Sequence, residues 1–169
     1  MGTDNYYSVK EDVQKYIDGC KTKMNVRTHK VFGRAILAGM MIAFGASASN
    51  VAAHAVTNVG SRLVAGCVFP VGLMMVVLLG AELFTGDCLM AMGNAEGACT
   101  ILDLIKFLFV VYVGNFVGSI LLAVVNVISG QLNYSAGLLG AYTIKVAMGK
   151  VNKVRCMYSR SAAHWCSAH

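Results

Sequence analysis

The sequence predicts an all-α integral membrane protein, and three observations support this prediction. Only 13% of the 169 residues are charged and 57% are hydrophobic, whereas soluble domains average roughly 25% and 45–50%. The mean hydropathy is +0.63. Twelve of the 14 Lys and Arg residues lie in two terminal segments, residues 1–34 and 145–169. Because these bases flank long apolar segments and do not form one soluble face, we expect a lipid bilayer and no nucleic acid as partner.

The N-terminal segment predicts an amphipathic helix over residues 8–24, because apolar side chains recur there at helical spacing. Ser8 followed by Glu11 fits a capping box at its start. Such a helix either lies on the inner membrane surface or is an ordinary soluble helix that packs on a cytoplasmic neighbour, and the sequence leaves both open. We assign residues 1–30 to this cytoplasmic segment and residues 31–152 to the transmembrane domain.

The first predicted span covers residues 35–56, which carry no formal charge. A helix needs about 20 apolar residues to cross a bilayer, and this segment is long enough. Small residues recur at every fourth position and would let a second helix approach closely. They are Ala35, Gly39, Ala43 and Ser47.

The second apolar segment, residues 63–92, is too long for one straight span. It also contains two acidic residues, Glu82 and Asp87, close to Gly86. Charged groups at membrane depth are costly and mark functional sites. Backbone leaves the helix at that depth only where it is buried in protein or lines a cavity.

These features favour a broken second span. The prediction is one helix over residues 63–82, a non-helical break over residues 83–87, and a short second helix from residue 88. The alternative is a plain span over residues 63–81 followed by an interfacial loop. The sequence favours the break, because a plain span leaves the acidic residues unexplained.

The third predicted span covers residues 104–129. Gly114 and Gly118 form a small-residue face suited to helix packing. Asn115 lies between them and should hydrogen-bond a neighbour, since a buried unpaired amide costs a few kcal/mol. A shorter apolar segment, residues 134–149, begins a fourth span.

Orientation follows from the distribution of Lys and Arg near the ends of the spans. The basic N-terminal segment is predicted to be cytoplasmic. Four crossings then return the basic segment 145–169 to the same side. We therefore expect a multi-pass protein of the inner, or plasma, membrane with a cytoplasmic N-terminus.

Three segments in order carry a family resemblance. They are GRAILAGMMIAFGA at residues 33–46, GAELFTGD at residues 80–87 and YVGNFVGS at residues 112–119. Each motif alone is weak, but the three together on successive spans are specific. Over residues ~25 to ~152 the chain resembles the formate/nitrite transporter family.

The resemblance implies an aquaporin-like helical bundle assembled as a homo-pentamer, with a pore in each protomer. Family members have six spans in two inverted three-helix repeats. This chain would hold the first repeat, with its broken second span, plus the fourth span. The implied function is a channel for small monovalent anions such as formate and nitrite, with no cofactor, no metal and no enzymatic activity.

The resemblance also implies which residues form the pore. Leu83 and Phe84 would narrow it with apolar bulk, which resists hydrated ions. Thr85 would offer its hydroxyl to the anion and face a histidine on the family's fifth-span loop. A lysine after the fourth span attracts anions in the family. Lys150 is the first match and Lys145 the second, and each has the alternative role of an interfacial anchor.

The remaining predicted site residues are expected to stabilise the backbone and the helix packing around the pore. Glu82, Gly86 and Asn115 are expected to hold the broken backbone in place and not to touch the anion. Three glycines are expected to mediate close helix packing: Gly39, Gly114 and Gly118.

The C-terminal residues depart from the family pattern. Residues 153–169 are polar and basic where the family has an apolar fifth span. Relative to the family pattern, the fifth and sixth spans and the loop histidine are therefore expected to be missing. We hypothesise a truncation, or a frameshift near residues 152–158, that produced this aberrant tail. The chain alone is then expected to be poorly stable and inactive as a channel.

Two other functions remain open on the sequence. One is a different pore or carrier, such as an aquaporin-like neutral-solute pore or a small secondary transporter. The other is a non-transporting membrane subunit or an inactive fragment. An enzyme is not expected, because no paired carboxylates, activated nucleophile or metal-ligand spacing occurs at a plausible position.

Overall fold

The computed structural model describes residues 9–56, 59–97 and 99–167, with side chains for 11–56, 60–97 and 99–155. The described residues form helices joined by short turns, which confirms the all-α prediction. The helices are α1 (Val9–Met24), α2 (Thr28–Ala53), α3 (Val59–Val68), α4 (Pro70–Leu78), α5 (Phe84–Asp87), α6 (Ala91–Ala95), α7 (Ile101–Ile128) and α8 (Leu138–Ser167). Two 3₁₀ turns, Cys88–Met90 and Gln131–Asn133, complete the described elements.

Within the described residues, three helical segments are long and apolar enough to cross a membrane. They are Thr28–Ala53, Gly60–Leu78 and Ile101–Ile128. These correspond to the first three predicted spans, and each begins earlier than predicted. The fourth predicted span falls on α8, which is not one of the three, so a fourth crossing stays a prediction.

The chain divides into two compact units. The first unit contains the described residues up to Ala46 together with Pro70–Ala123. The second unit contains Ser47–Phe69 and the described residues from Val124 onward. The long helices α2 and α7 each begin in the first unit and end in the second.

In the first unit, the apolar face of α1 packs against other helices of the chain. Cys20 is 2% exposed and forms a core cluster with Met90 and Leu104, against which Tyr16 and Met24 also pack. The predicted amphipathic helix is therefore present, and its apolar side covers neighbouring helices of the same chain. The capping box expected at Ser8 lies outside the described residues.

The first unit also brings α2 and α7 into close backbone contact at glycines. A Cβ added at Gly114 would lie 2.5 Å from the Ala35 Cβ, and one at Gly118 would meet the carbonyl oxygen of Ile36. A Cβ at Gly39 would meet the carbonyl oxygen of Asn115. Only glycine fits these positions without moving a helix, because the blocking atoms belong mainly to backbone.

The second predicted span differs from the structure in where it is interrupted. Helix α3 ends at Val68 and α4 begins at Pro70, a position that proline tolerates because the first turn of a helix needs no N–H donor there. Helix α4 then ends at Leu78, so the helix predicted over residues 63–82 is too long.

The break itself lies at residues 79–83 and not at the predicted 83–87. Gly80 has φ +58°, a left-handed conformation that glycine adopts without steric cost and that ends a helix. Leu83 is extended, and Phe84–Asp87 are already helical again. Gly86, which was expected to belong to the break, therefore lies in α5.

In the second unit, polar side chains connect the helices. Asn126 Nδ2 donates to Ser47 Oγ (3.2 Å), and Ser47 Oγ donates to Gln131 Oε1 (3.1 Å). Asn50 Nδ2 donates more weakly to Thr143 Oγ1 at 3.4 Å. These bonds satisfy amides and hydroxyls on largely apolar helices, where unpaired polar groups are costly.

Candidate functional site: the break after α4

The break after α4 leaves backbone groups without helical partners, and one side chain supplies them. Asn115 Oδ1 accepts a hydrogen bond from the Phe84 N–H (3.0 Å). Asn115 Nδ2 donates to the carbonyl oxygens of Glu82 (3.0 Å) and Ala35 (2.8 Å). A single amide thus bridges α7, the break and α2. Irregular backbone in a membrane protein requires such internal partners.

The three residues predicted to line a pore, Leu83, Phe84 and Thr85, lie at the backbone segment that Asn115 holds. Phe84 packs against the cluster of Val31, Ala35 and Val111. Its ring also meets that of Tyr112 edge-on, with centroids 5.5 Å apart. Leu83 is half-buried and Thr85 is exposed. The Asn115 bonds therefore fix the backbone that presents Leu83 and Thr85, while Phe84 is held by packing.

Two buried carboxylates flank these residues. Glu82 is 4% exposed and Asp87 is 2% exposed. Lys23, on α1, bridges them, with Nζ 2.6 Å from Glu82 Oε2 and 2.8 Å from Asp87 Oδ1. Arg34 Nη1 lies 3.8 Å from Glu82 Oε1. The Lys23 ammonium group thus links the break to α1, and the longer ion pair of Arg34 with Glu82 links it to α2.

Lys23 was not among the predicted site residues, although the sequence contains a signal for such a cation. Two acidic residues next to an apolar segment require a cationic partner, because unpaired buried charge is very costly. The N-terminal helix offered several lysines as candidates. Sequence alone could not select Lys23, which lies 59 positions from Glu82 along the chain.

The environment of α1 shifts the pKa values of its titratable groups. Burial lowers the pKa of Lys23, but hydrogen bonds to Asp87 and Glu82 outweigh it and raise the pKa above its usual value. Burial raises the pKa values of Tyr16 and Cys20. At neutral pH Lys23 is therefore charged, whereas the phenol and the thiol are neutral.

An open cavity of about 360 Å³ lies beside the break. Its wall combines apolar side chains of α4 with the polar cluster. The lining residues on the α1 side are Tyr16 and Lys23, and those of the break and its flanks include Gly80, Glu82, Leu83 and Asp87. The Tyr16 hydroxyl donates to the Gly86 carbonyl oxygen at 3.4 Å, which adds a weak second link between α1 and α5.

The two predicted anion-attracting lysines lie on another element. Lys145 and Lys150 are both exposed and both on α8, within the second unit. Their role stays a prediction. The C-terminal tail that was expected to be aberrant begins on the same helix, and its side chains from residue 156 lie outside the described ones.

Comparison with known proteins supports the motif-based resemblance. The family profile described as "Formate/nitrite transporter" matches residues 10–163. The match therefore extends past residue 152, where the resemblance was expected to end, and includes much of the basic tail.

Individual relatives agree with the profile. A "Probable formate transporter" of Methanothermobacter thermautotrophicus is 36% identical over 141 residues, covering 73% of this chain and 52% of the relative. A "Formate channel FocA" of Haemophilus influenzae is 39% identical over 92 residues, covering 54% of this chain and 32% of the relative. A "Formate-nitrite transporter" of Entamoeba histolytica is 39% identical over 104 residues, covering 59% and 29%.

The chain spans about a third to a half of the length of these curated relatives. The profile match nevertheless covers most of the chain and includes all three motif segments. The broken span, anchored by Asn115, lies within the matched region. The chain is therefore a multi-pass membrane protein that belongs to the formate/nitrite transporter family.

Proposed function

We propose that this chain forms part of a transmembrane pathway for small monovalent anions that are bases of weak acids, such as formate and nitrite. The observation that carries the proposal is the break at residues 79–83, held open by the three hydrogen bonds of Asn115. Interrupted helices in membrane transporters supply backbone and side-chain groups to a substrate. Two of the similar proteins are named as a formate channel and a probable formate transporter, which supports the choice of substrate.

The side chains at the end of the break favour passage of a neutral weak acid over passage of its anion. Leu83 and Phe84 provide apolar bulk, and an anion entering such a constriction loses hydration that apolar groups cannot replace. Protonation of the anion removes most of this cost. Thr85 is exposed and supplies a hydroxyl that can donate to or accept from the small molecule.

Charge at the break has to be balanced for this function. Ionised Glu82 and Asp87 would repel an approaching anion. Lys23 lies within 2.8 Å of both carboxylates, and Arg34 approaches Glu82, so the local field is largely compensated. In this proposal Glu82 positions the break, and the lysines of α8, Lys150 before Lys145, attract the anion.

Assembly and topology belong to the same proposal. By family resemblance the working form is a homo-pentamer in the inner, or plasma, membrane with a cytoplasmic N-terminus. Because the chain spans a third to a half of its relatives' length, we propose that conduction needs partner spans beyond those described. The chain alone is expected to give flux close to that of empty liposomes.

The test is flux into liposomes from two samples. One contains the chain alone. The other contains the chain co-expressed with the part of the Methanothermobacter transporter that lies C-terminal to its matching segment. We expect the second sample to pass formate and nitrite faster as the pH falls, and to exclude glycerol. Glycerol flux independent of pH would indicate a neutral-solute pore instead. A folded complex without any flux would indicate a non-transporting subunit.

A further inference from the structure

Asp87 is a buried carboxylate with only one of its oxygens satisfied. Its side chain is 3% exposed, and Oδ1 accepts from Lys23 Nζ at 2.8 Å. Oδ2 is buried and has no hydrogen-bond partner among the described residues. Buried polar atoms in native proteins nearly always have a partner. An unpaired buried carboxylate oxygen therefore indicates a bound group, and Asp87 is one of the residues that line the cavity beside the break.

The surrounding charges do not supply that group. From α1, Lys23 is the facing cation, and Tyr16 and Cys20 are neutral because burial raises their pKa values. From the break, Glu82 adds a second carboxylate that shares the same ammonium. From α2, Arg34 faces Glu82 and is half exposed.

The two carboxylates are therefore compensated unequally. Glu82 has a cation near each oxygen, whereas Asp87 has a shared cation near one oxygen. Two carboxylates that share a site do not both ionise readily, and the less compensated one retains a proton. A proton on Asp87 Oδ2 would neutralise the less compensated of the two carboxylates and convert the unpaired acceptor into a donor.

We propose that Asp87 Oδ2 is a proton-binding site that exchanges its proton with the permeant weak acid beside the break. This inference rests on the proposed function. An anion arriving through the cavity takes the proton from Oδ2. The Oδ2–H bond breaks, its electron pair stays on the Asp87 carboxylate, and a new bond forms between the proton and the anion.

The neutral acid then passes Leu83 and Phe84, while Lys23 stabilises the Asp87 carboxylate that is left. A proton from hydronium in the cavity restores the carboxylic acid and leaves a water molecule. In the opposite direction the neutral acid returns its proton to the ionised Oδ2 and leaves as the anion, and the Asp87 proton then passes to water as hydronium. Each direction conserves charge and needs no reactant beyond the anion, the acid and solvent protons.

Infrared spectroscopy of the purified 169-residue chain tests proton binding without any flux measurement. We expect a C=O band of a protonated carboxyl group at about pH 6, where exposed carboxyl groups are ionised, and we expect Asp87→Asn to remove it. Asp103→Asn is the matched control, because Asp103 has a 60% exposed side chain, and it should leave the band unchanged. A wild-type spectrum without this band, or a band that persists in Asp87→Asn, would overturn the inference.

A second variant keeps the test valid where Asp87→Asn does not fold. Lys23→Met removes the cation that stabilises the ionised form, so the band should persist to higher pH than in the wild-type chain. A band whose pH midpoint does not move would contradict proton binding next to Lys23.

The exchange role has its own readout in the co-expressed sample. Asp87→Asn should lose most formate flux near neutral pH and regain it as acidic solution supplies neutral acid directly. Unchanged flux at neutral pH in this variant would overturn the exchange role. If the wild-type chain shows the Asp87 band but the wild-type co-expressed sample carries no flux, the proton-binding site stands and the proposed function is refuted. Failure of this inference and failure of the proposed function are therefore distinguishable.

Discussion

The two helices near the ends of the chain, α1 and α8, both carry several lysines, but their lysines have different surroundings. Lys23 on α1 is bound by two buried carboxylates, whereas Lys145 and Lys150 on α8 are exposed. By composition and by the positive-inside pattern, these lysines cannot be distinguished. The difference shows that a cation acquires a structural role in this fold when it faces the break between α4 and α5.

The two asparagines of α7 extend this comparison to neutral groups. Asn115 makes three hydrogen bonds to α2, the break and the start of α5, whereas Asn126 donates a single bond to Ser47. The first holds irregular backbone, and the second joins two regular helices. Substitutions at the break should therefore cost more than the same substitutions elsewhere.

The largest effect is expected for Asn115→Ala. It leaves the Phe84 N–H and the Glu82 carbonyl oxygen of the break without this partner and removes an additional bond to the Ala35 carbonyl oxygen within α2. We expect a loss of about 3–4 kcal/mol in the free energy of unfolding. Asn126→Ala is the matched control and should cost about 0.6 kcal/mol, the average for a hydrogen bond between membrane helices. Unfolding by increasing SDS, followed by circular dichroism, measures both. Equal losses in the two variants would contradict the special role of Asn115.

The second effect concerns Lys23→Met, which leaves two buried carboxylates without their shared cation. We expect a loss of about 2–3 kcal/mol, less than for a fully buried pair because Lys23 is 40% exposed. Lys21→Met is the control, since Lys21 and Asp18 form an exposed pair at 3.9 Å that contributes at most about 1 kcal/mol. The same unfolding assay applies. A Lys23 variant as stable as the Lys21 variant would refute the ion-pair link between α1 and the break.

A third, smaller effect separates the two glycines of the break region. Gly80→Ala places a Cβ on a residue with φ +58° and should cost about 1–2 kcal/mol. Gly86 is helical, and a Cβ there meets no atom within 4 Å, so Gly86→Ala should be neutral or slightly stabilising. The predicted break at residues 83–87 would require the reverse order, and the relative unfolding free energies decide between the two.

The smallest effect on stability is expected for Lys150→Met, because Lys150 is exposed. Its unfolding free energy should stay within about 0.5 kcal/mol of the wild-type value. Formate flux in the co-expressed sample should nevertheless fall, and the fall should diminish at high salt, which screens attraction of the anion. A flux that is unchanged at low salt would leave Lys150 as an interfacial anchor only.

Much of the fold could be predicted because it depends on local properties. Length and hydropathy located the three spans, and the small residues Gly39, Gly114 and Gly118 marked the face where α2 and α7 meet. The carboxylates Glu82 and Asp87 indicated that the second span is interrupted. Each of these signals is contained in a short stretch of sequence.

The rest depends on contacts between distant residues or on backbone conformation. Both Gly80 and Gly86 were able to end a helix, and only the fold shows that Gly80 takes the left-handed conformation. Several lysines of α1 were able to pair with Glu82, and helix packing around Cys20 selects Lys23. Burial of Asp87 Oδ2 without a partner is likewise a property of the assembled unit.

The most direct test of the central claim, that the break lines the anion pathway, is chemical modification at Leu83. In the co-expressed sample, with the native cysteines replaced by serine or alanine, Leu83→Cys is treated with a small charged thiol reagent. Leu102→Cys is the control, because Leu102 is exposed on α7, outside the break. We expect modification at residue 83 to reduce formate flux to that of empty liposomes and modification at residue 102 to leave it unchanged. Complete labelling at 83 with unchanged flux would contradict it.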